Sequence, residues 1–180
     1  MKEKIKHLFK KIYRNQKGFT LVELMIVVII LGVLAGVAIP RYLARTDTAK
    51  INSTLSTLQA LQGAMNNYYT DENLGNGKFP VGDAEAAAEA AIELELEKAL
   101  NAAGLTWAGI KDGYGKSLKY GVDATGSKFI LYSQGKDAVN SGDEIICTDK
   151  QQPVSGKNVG TDYTGTGKPY NGVVIVDSIT

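Results

Sequence analysis

The run "LVELMIVVIILGVLAGVAI", residues 21–39, constrains this chain more than any other stretch: 19 residues carry a single charge, Glu23. A helix of about 20 apolar residues crosses the roughly 30 Å hydrocarbon layer. Such a helix cannot sit bare in water; it needs a membrane or other helices around it. A carboxylate inside hydrocarbon costs roughly 2.5–3.5 kcal/mol on insertion scales, so a glutamate here calls for a function.

The flanks orient the run. Residues 1–18 hold seven Lys or Arg against Glu3, which leaves 13 basic and 18 acidic side chains in the rest of the chain. The formal net charge of +1 hides this asymmetry. A basic head before an apolar run places the N-terminus in the cytoplasm and the bulk outside. The acidic body gives no reason to expect nucleic-acid binding.

Two readings fit charge and hydropathy equally. The head and run form an uncleaved signal anchor, or a cut between Gly18 and Phe19 removes the head and keeps the membrane helix. The residues themselves break the tie. "KGFTLVE", the unbroken apolar run and Pro40 resemble the leader and N-terminal helix of type IV prepilins and of type II secretion pseudopilins, sharply over residues 16–45.

The resemblance implies cleavage after Gly18 by a prepilin peptidase, N-methylation of Phe19, and assembly into a helical filament of identical chains by inner-membrane machinery. The precursor would sit in the inner (cytoplasmic) membrane and the filament outside the cell. Glu23 then has a role: in the bundle its carboxylate neutralises the new amine of a neighbour's Phe19. An unpaired buried charge costs several kcal/mol, so such a pair fixes register. Glu23 also lies in the first helical turns, where the helix dipole favours an anion.

Beyond Pro40, Ile51, Leu55, Leu58, Leu61, Met65 and Tyr68 recur at three- and four-residue spacing. Residues 19–70 read as one helix roughly 80 Å long, apolar all round at first and amphipathic later. Gly32, Gly36 and Pro40 mark its weakest part, since proline lacks the amide hydrogen and crowds the carbonyl four residues back. The resemblance implies that residues 32–40 loosen in the filament; the rival reading makes Gly32 and Gly36 a close-packing face for a partner helix. The division expected is a leader at 1–18, a membrane and filament-core helix at 19–40, and a globular head at 41–180.

In the head, "NLGNGKFPVG" reads as a turn-rich connection and Asp83 as the N-cap of a helix to Ala103, stopped by Gly104. Ile92, Leu96, Ala99 and Ala103 would form its inner face, with Glu85, Glu89, Glu93 and Glu97 a second line that reads as a solvated face, a subunit contact or loose cation site being the alternative. Strands are expected at 118–122, 129–133, 144–148 and 172–178, with 150–171 a surface loop. The fold class is α+β: a long helix packed, by its second half, on a small antiparallel sheet, as in type IV pilins.

"DGYGKSLKY" and "FILYSQGKDAVNSGDEI" are similar to the sheet region of the major secretion pseudopilin, in which an acidic loop binds calcium. The matching residues would be Asp137 and Asp143, near Asn140 and Glu144, although Gly113 stands where that family has proline. All-oxygen donors suit calcium; a polar hairpin loop is the alternative.

Enzyme classes fall away. His7, the sole histidine, lies in the head, and Cys147 is the sole cysteine. No Ser-His or Cys-His pair survives leader removal, and no intramolecular disulfide forms. In "GIKDGYGKS" five residues, not four, precede the Gly-Lys-Ser, and strand rather than helix follows, which excludes a phosphate-binding loop. The function expected is a structural subunit of a type IV pilus, with a type II secretion pseudopilin as the alternative. A stand-alone membrane-anchored binding domain has no use for a removable leader or for Glu23.

Overall fold

The computed structural model describes residues 18–81, 89–137, 141–163 and 174–177. Helix α1 spans Leu21–Thr70, α2 spans Glu89–Ala102, and five strands follow: β1 Lys119–Val122, β2 Phe129–Ser133, β3 Glu144–Thr148, β4 Val154–Lys157 and β5 Val174–Asp177. The chain divides into two compact units, residues 1–45 and 46–180.

In the first unit, α1 is helical without interruption through Pro40. Thr20 and Glu23 start it as a reciprocal cap. The Thr20 amide donates to Glu23 Oε2 at 2.8 Å, and the Glu23 amide donates to Thr20 Oγ1 at 3.2 Å. Two amides that a helix start leaves without partners are thereby satisfied.

In the second unit, an antiparallel sheet of strand order β4-β3-β2-β1-β5 packs on the later part of α1. Leu58, Leu61, Met65 and Tyr68 of α1 are buried against Phe129, Leu131, Ile145 and Cys147. The register sets Leu131 opposite Cys147 and Tyr120, so alternate residues of each strand share this face. Phe79, Phe129, Tyr120 and Trp107 stack in a chain of centroid distances 4.6, 6.2 and 6.4 Å. The Tyr120 hydroxyl donates to the Pro80 carbonyl at 2.9 Å, which satisfies its buried polar end.

Two polar residues of α1 are buried with this face. Thr54 Oγ1 accepts the Gly113 amide at 2.9 Å while donating to the Lys50 carbonyl. Gln62 Nε2 donates to the carbonyls of Thr148 and Gln151 at 2.7 and 3.0 Å. Gly113 lies so close to α1 that a Cβ there would collide with the Lys50 carbonyl.

Three expectations are corrected. Residues 150–171 are not all loop: β4 pairs with β3, and a π-helical turn at Val159–Tyr163 buries Val159 against Ile130, Tyr132 and Ile146 on the outer sheet face. β4 escaped detection because "VSGK" is short, polar and non-alternating; its place comes from backbone pairing at a sheet edge. On α2, Leu100 is buried and Ala103 exposed, because Gly104 at φ +73 ends the helix and the Leu105 amide turns back to the Leu100 carbonyl. Glu97 is no mere solvated charge: its Oε2 accepts the Trp107 amide at 2.9 Å. Asp83 and Glu85 lie outside the described residues.

Candidate functional site: the apolar helix and its cap

Between Phe19 and Leu43, seventeen large apolar or aromatic side chains are exposed, Phe19 at 86%. Each contributes about 1.5–3 kcal/mol when fully buried, so covering them all releases tens of kcal/mol. A surface this apolar on all sides fits lipid or a bundle of like helices. A Cβ built on Gly32 or Gly36 meets no atom within 4 Å, so both present bare backbone.

Gly18 and Phe19 are exposed and lie just before the helix, where the Gly18–Phe19 peptide bond is not in regular structure. The rest of the leader lies outside the described residues. Glu23 is exposed, and its carboxylate turns back to Thr20, accepting from the amide and, at 2.9 Å, from the hydroxyl. The sequence reading of Glu23 left out Thr20, although "TLVE" has the Thr-x-x-Glu spacing of a capping box.

The second group of interest is the loop from β2 to β3. Asp143 Oδ2 accepts the Lys136 amide and Oδ1 accepts the Ser141 hydroxyl, each at 2.8 Å. Asp137 is described and Asn140 lies outside the described residues. Lys136 reaches α1, its Nζ 2.9 Å from Asp47 Oδ2. Hydrogen bonding to Lys136 holds the Asp47 carboxyl below its ordinary value and, reciprocally, holds the Lys136 ammonium above its own. Both groups are substantially exposed, so the pair orients the loop more than it stabilises the fold. Glu144 is fully buried; Oε2 accepts the Gly142 amide at 2.9 Å and Oε1 has no partner among the described residues.

The "DGYGK" segment that mimics a phosphate loop is a turn wound on Asp112. Its Oδ1 accepts the amides of Tyr114 and Lys116, both at 2.8 Å, and Oδ2 accepts the Ser133 hydroxyl at 2.5 Å. The amides of the turn are thus already engaged: Tyr114 and Lys116 by the Asp112 carboxylate, Gly113 by the Thr54 hydroxyl and Gly115 by the Asp112 carbonyl. Among the described residues, no three of His, Cys, Asp and Glu gather closely enough to hold a metal ion.

Comparison with known proteins points to the N-terminal region first. A family model described as "Prokaryotic N-terminal methylation motif" matches residues 13–39. Type II secretion system core protein G of Pseudomonas aeruginosa is 32% identical over 141 residues, spanning 73% of this chain and 91% of that protein. Type IV major pilin protein PilE1 of Neisseria gonorrhoeae is 32% identical over 149 residues, spanning 82% of this chain but 63% of the pilin. Fimbrial protein EcpC of Eikenella corrodens is 36% identical over 77 residues, 43% of this chain and 48% of that protein. No solved structure gives a significant match.

Proposed function

The chain belongs to the family of type IV pilins and type II secretion pseudopilins, structural subunits that polymerise, and from that premise we propose that it builds a type IV pilus through the apolar half of α1. The observation that carries this reading is the exposed apolar surface from Phe19 to Leu43, which lipid or neighbouring copies would cover. The membrane holds the subunit before assembly, with the basic head in the cytoplasm, and a bundle of such helices replaces the lipid afterwards. Inner-membrane assembly machinery would carry out that exchange.

A prepilin peptidase cuts after Gly18, and the amine of Phe19 is then methylated. In the filament Glu23 neutralises that amine on a neighbouring copy. In the subunit alone, the Thr20 cap holds the carboxylate at the helix start, close in sequence to where such an amine would be presented. Residues 32–40, with Gly32, Gly36 and Pro40, are where the helix yields on packing. In this reading the chain is the substrate of these modifications and a structural subunit, and none of the steps asks it to catalyse a reaction itself.

Alignment to the pilin reaches further along this chain than alignment to the secretion protein, which favours the pilus. The second reading, a secretion pseudopilus, draws on the 91% coverage of the secretion protein. One fractionation decides among these. Wild-type subunit should appear in sheared filaments with Phe19 at its N-terminus by mass spectrometry, and Glu23→Gln should be processed equally but stay in the membrane. Equal assembly of Glu23→Gln refutes charge pairing. Wild type confined to the envelope, with protein secretion lost on deletion, replaces the pilus with the pseudopilus.

A further inference from the structure

The carbonyls of Gly135 and Lys136 converge on one point at the start of the β2–β3 loop. Lys116 Nζ occupies that point, donating at 2.9 and 2.7 Å. The placement is built in. Asp112 accepts the Lys116 amide and the Ser133 hydroxyl on opposite oxygens, so one buried carboxylate ties the root of Lys116 to the end of β2. Gly135 sits at φ +68, and a Cβ there would stand 2.6 Å from Asp143 Oδ2, so glycine is required both by the turn and by the carboxylate closing over it.

Backbone carbonyls converging beside an aspartate are the donor set that a hard cation such as calcium takes. Here that set is already in use. Lys116 holds both carbonyls, and the two Asp143 oxygens accept from the Lys136 amide and Ser141. An ammonium and a divalent ion repel and cannot share the same two oxygens. Glu144 does not complete a metal shell at this point. Ser133 pairs across the sheet with Ile145, so strand alternation puts Glu144 on the opposite face from the Ser133–Asp112 contact.

We infer that Lys116 is the resident cation of the β2–β3 loop and closes it without a divalent metal. The loop in turn is moored to α1 through Lys136 and Asp47, so Lys116 sets the surface that this end of the head presents. The calcium expected at Asp137 and Asp143 from the sequence is replaced by a side chain of the chain itself.

The test uses the full processed subunit in detergent micelles, as wild type, K116R and K116M. Each is measured in EGTA and in millimolar calcium chloride, by melting temperature and by amide hydrogen exchange. Wild type should show the same melting temperature and the same loop exchange in both solutions. K116M should exchange the Lys136 amide about tenfold faster or more, the factor expected on losing hydrogen bonds to a charged donor, with Tyr120 in β1 still protected. K116R, whose fork serves two carbonyls, should retain most of the protection. Slower loop exchange or a higher melting temperature of wild type in calcium overturns the inference, as does a K116M loop as protected as wild type. Should K116M fail to fold, the wild-type comparison alone decides.

Discussion

Thr54→Val isolates the contact that docks the sheet's leading turn on α1. Thr54 is fully buried, and its hydroxyl accepts the Gly113 amide at 2.9 Å. Valine keeps the volume and has nearly the same helix propensity, so neither packing nor helix formation changes much. The Lys50 carbonyl keeps its bond within the helix. What is lost is the acceptor for Gly113, and a buried amide left without a partner costs about 1–3 kcal/mol. For a domain of this size that lowers the melting temperature by about 4–12 °C. The assay is thermal unfolding of the processed subunit in detergent, followed by circular dichroism, with hydrogen exchange at Gly113. Thr54→Ser is the control, since it keeps the oxygen and loses only a methyl, and it should lose less. If Thr54→Val melts with wild type and Gly113 stays protected, the amide finds its acceptor elsewhere and the docking argument fails. If Thr54→Ser falls as far as Thr54→Val, methyl packing and not the hydrogen bond holds the turn.

Gly113→Ala should destabilise more than Thr54→Val, because the added Cβ meets the backbone carbonyl of Lys50, which has no room to give; the same melts rank the two. Burial pulls the Glu95 carboxyl upward, but hydrogen bonds from Lys98 and Tyr68 outweigh it and hold it below its ordinary 4.5. A depressed folded value gives stability that is present above the unfolded value and lost as pH falls through the folded one, so the head should weaken below about pH 4.5. Glu95→Gln should flatten that acid limb in melts taken from pH 6 to pH 3, and an unchanged slope would sink the assignment. Cys147 is fully buried and burial pushes its thiol up, so a thiol reagent should label it only as fast as the head unfolds, with immediate labelling of native protein the contrary result.

The sequence alone determined what depends on composition along one dimension. An apolar run with a basic flank needs no tertiary partner to declare itself, because its length matches a bilayer and its charges set its direction. The same holds for the inner stripe of α1, where Leu58, Leu61, Met65 and Tyr68 recur at helical spacing, and for β2 and β3, whose apolar residues mark them as strands. The Thr20–Glu23 cap went unread although its partners lie only three positions apart and carry the Thr-x-x-Glu spacing. The tertiary structure decided what depends on distant groups meeting. Nothing in "VSGK" announces a strand, because β4 exists through hydrogen bonds that β3 offers at its edge. Thr54 and Gln62 look like solvent residues on a polar flank until Gly113, Thr148 and Gln151 arrive to use them. In the acidic loop, nothing in the sequence announces that Lys116, 19 residues before Gly135, donates to the Gly135 carbonyl. A side chain's role follows from what it touches, and for these residues the touching partner is fixed only when the sheet closes on the helix.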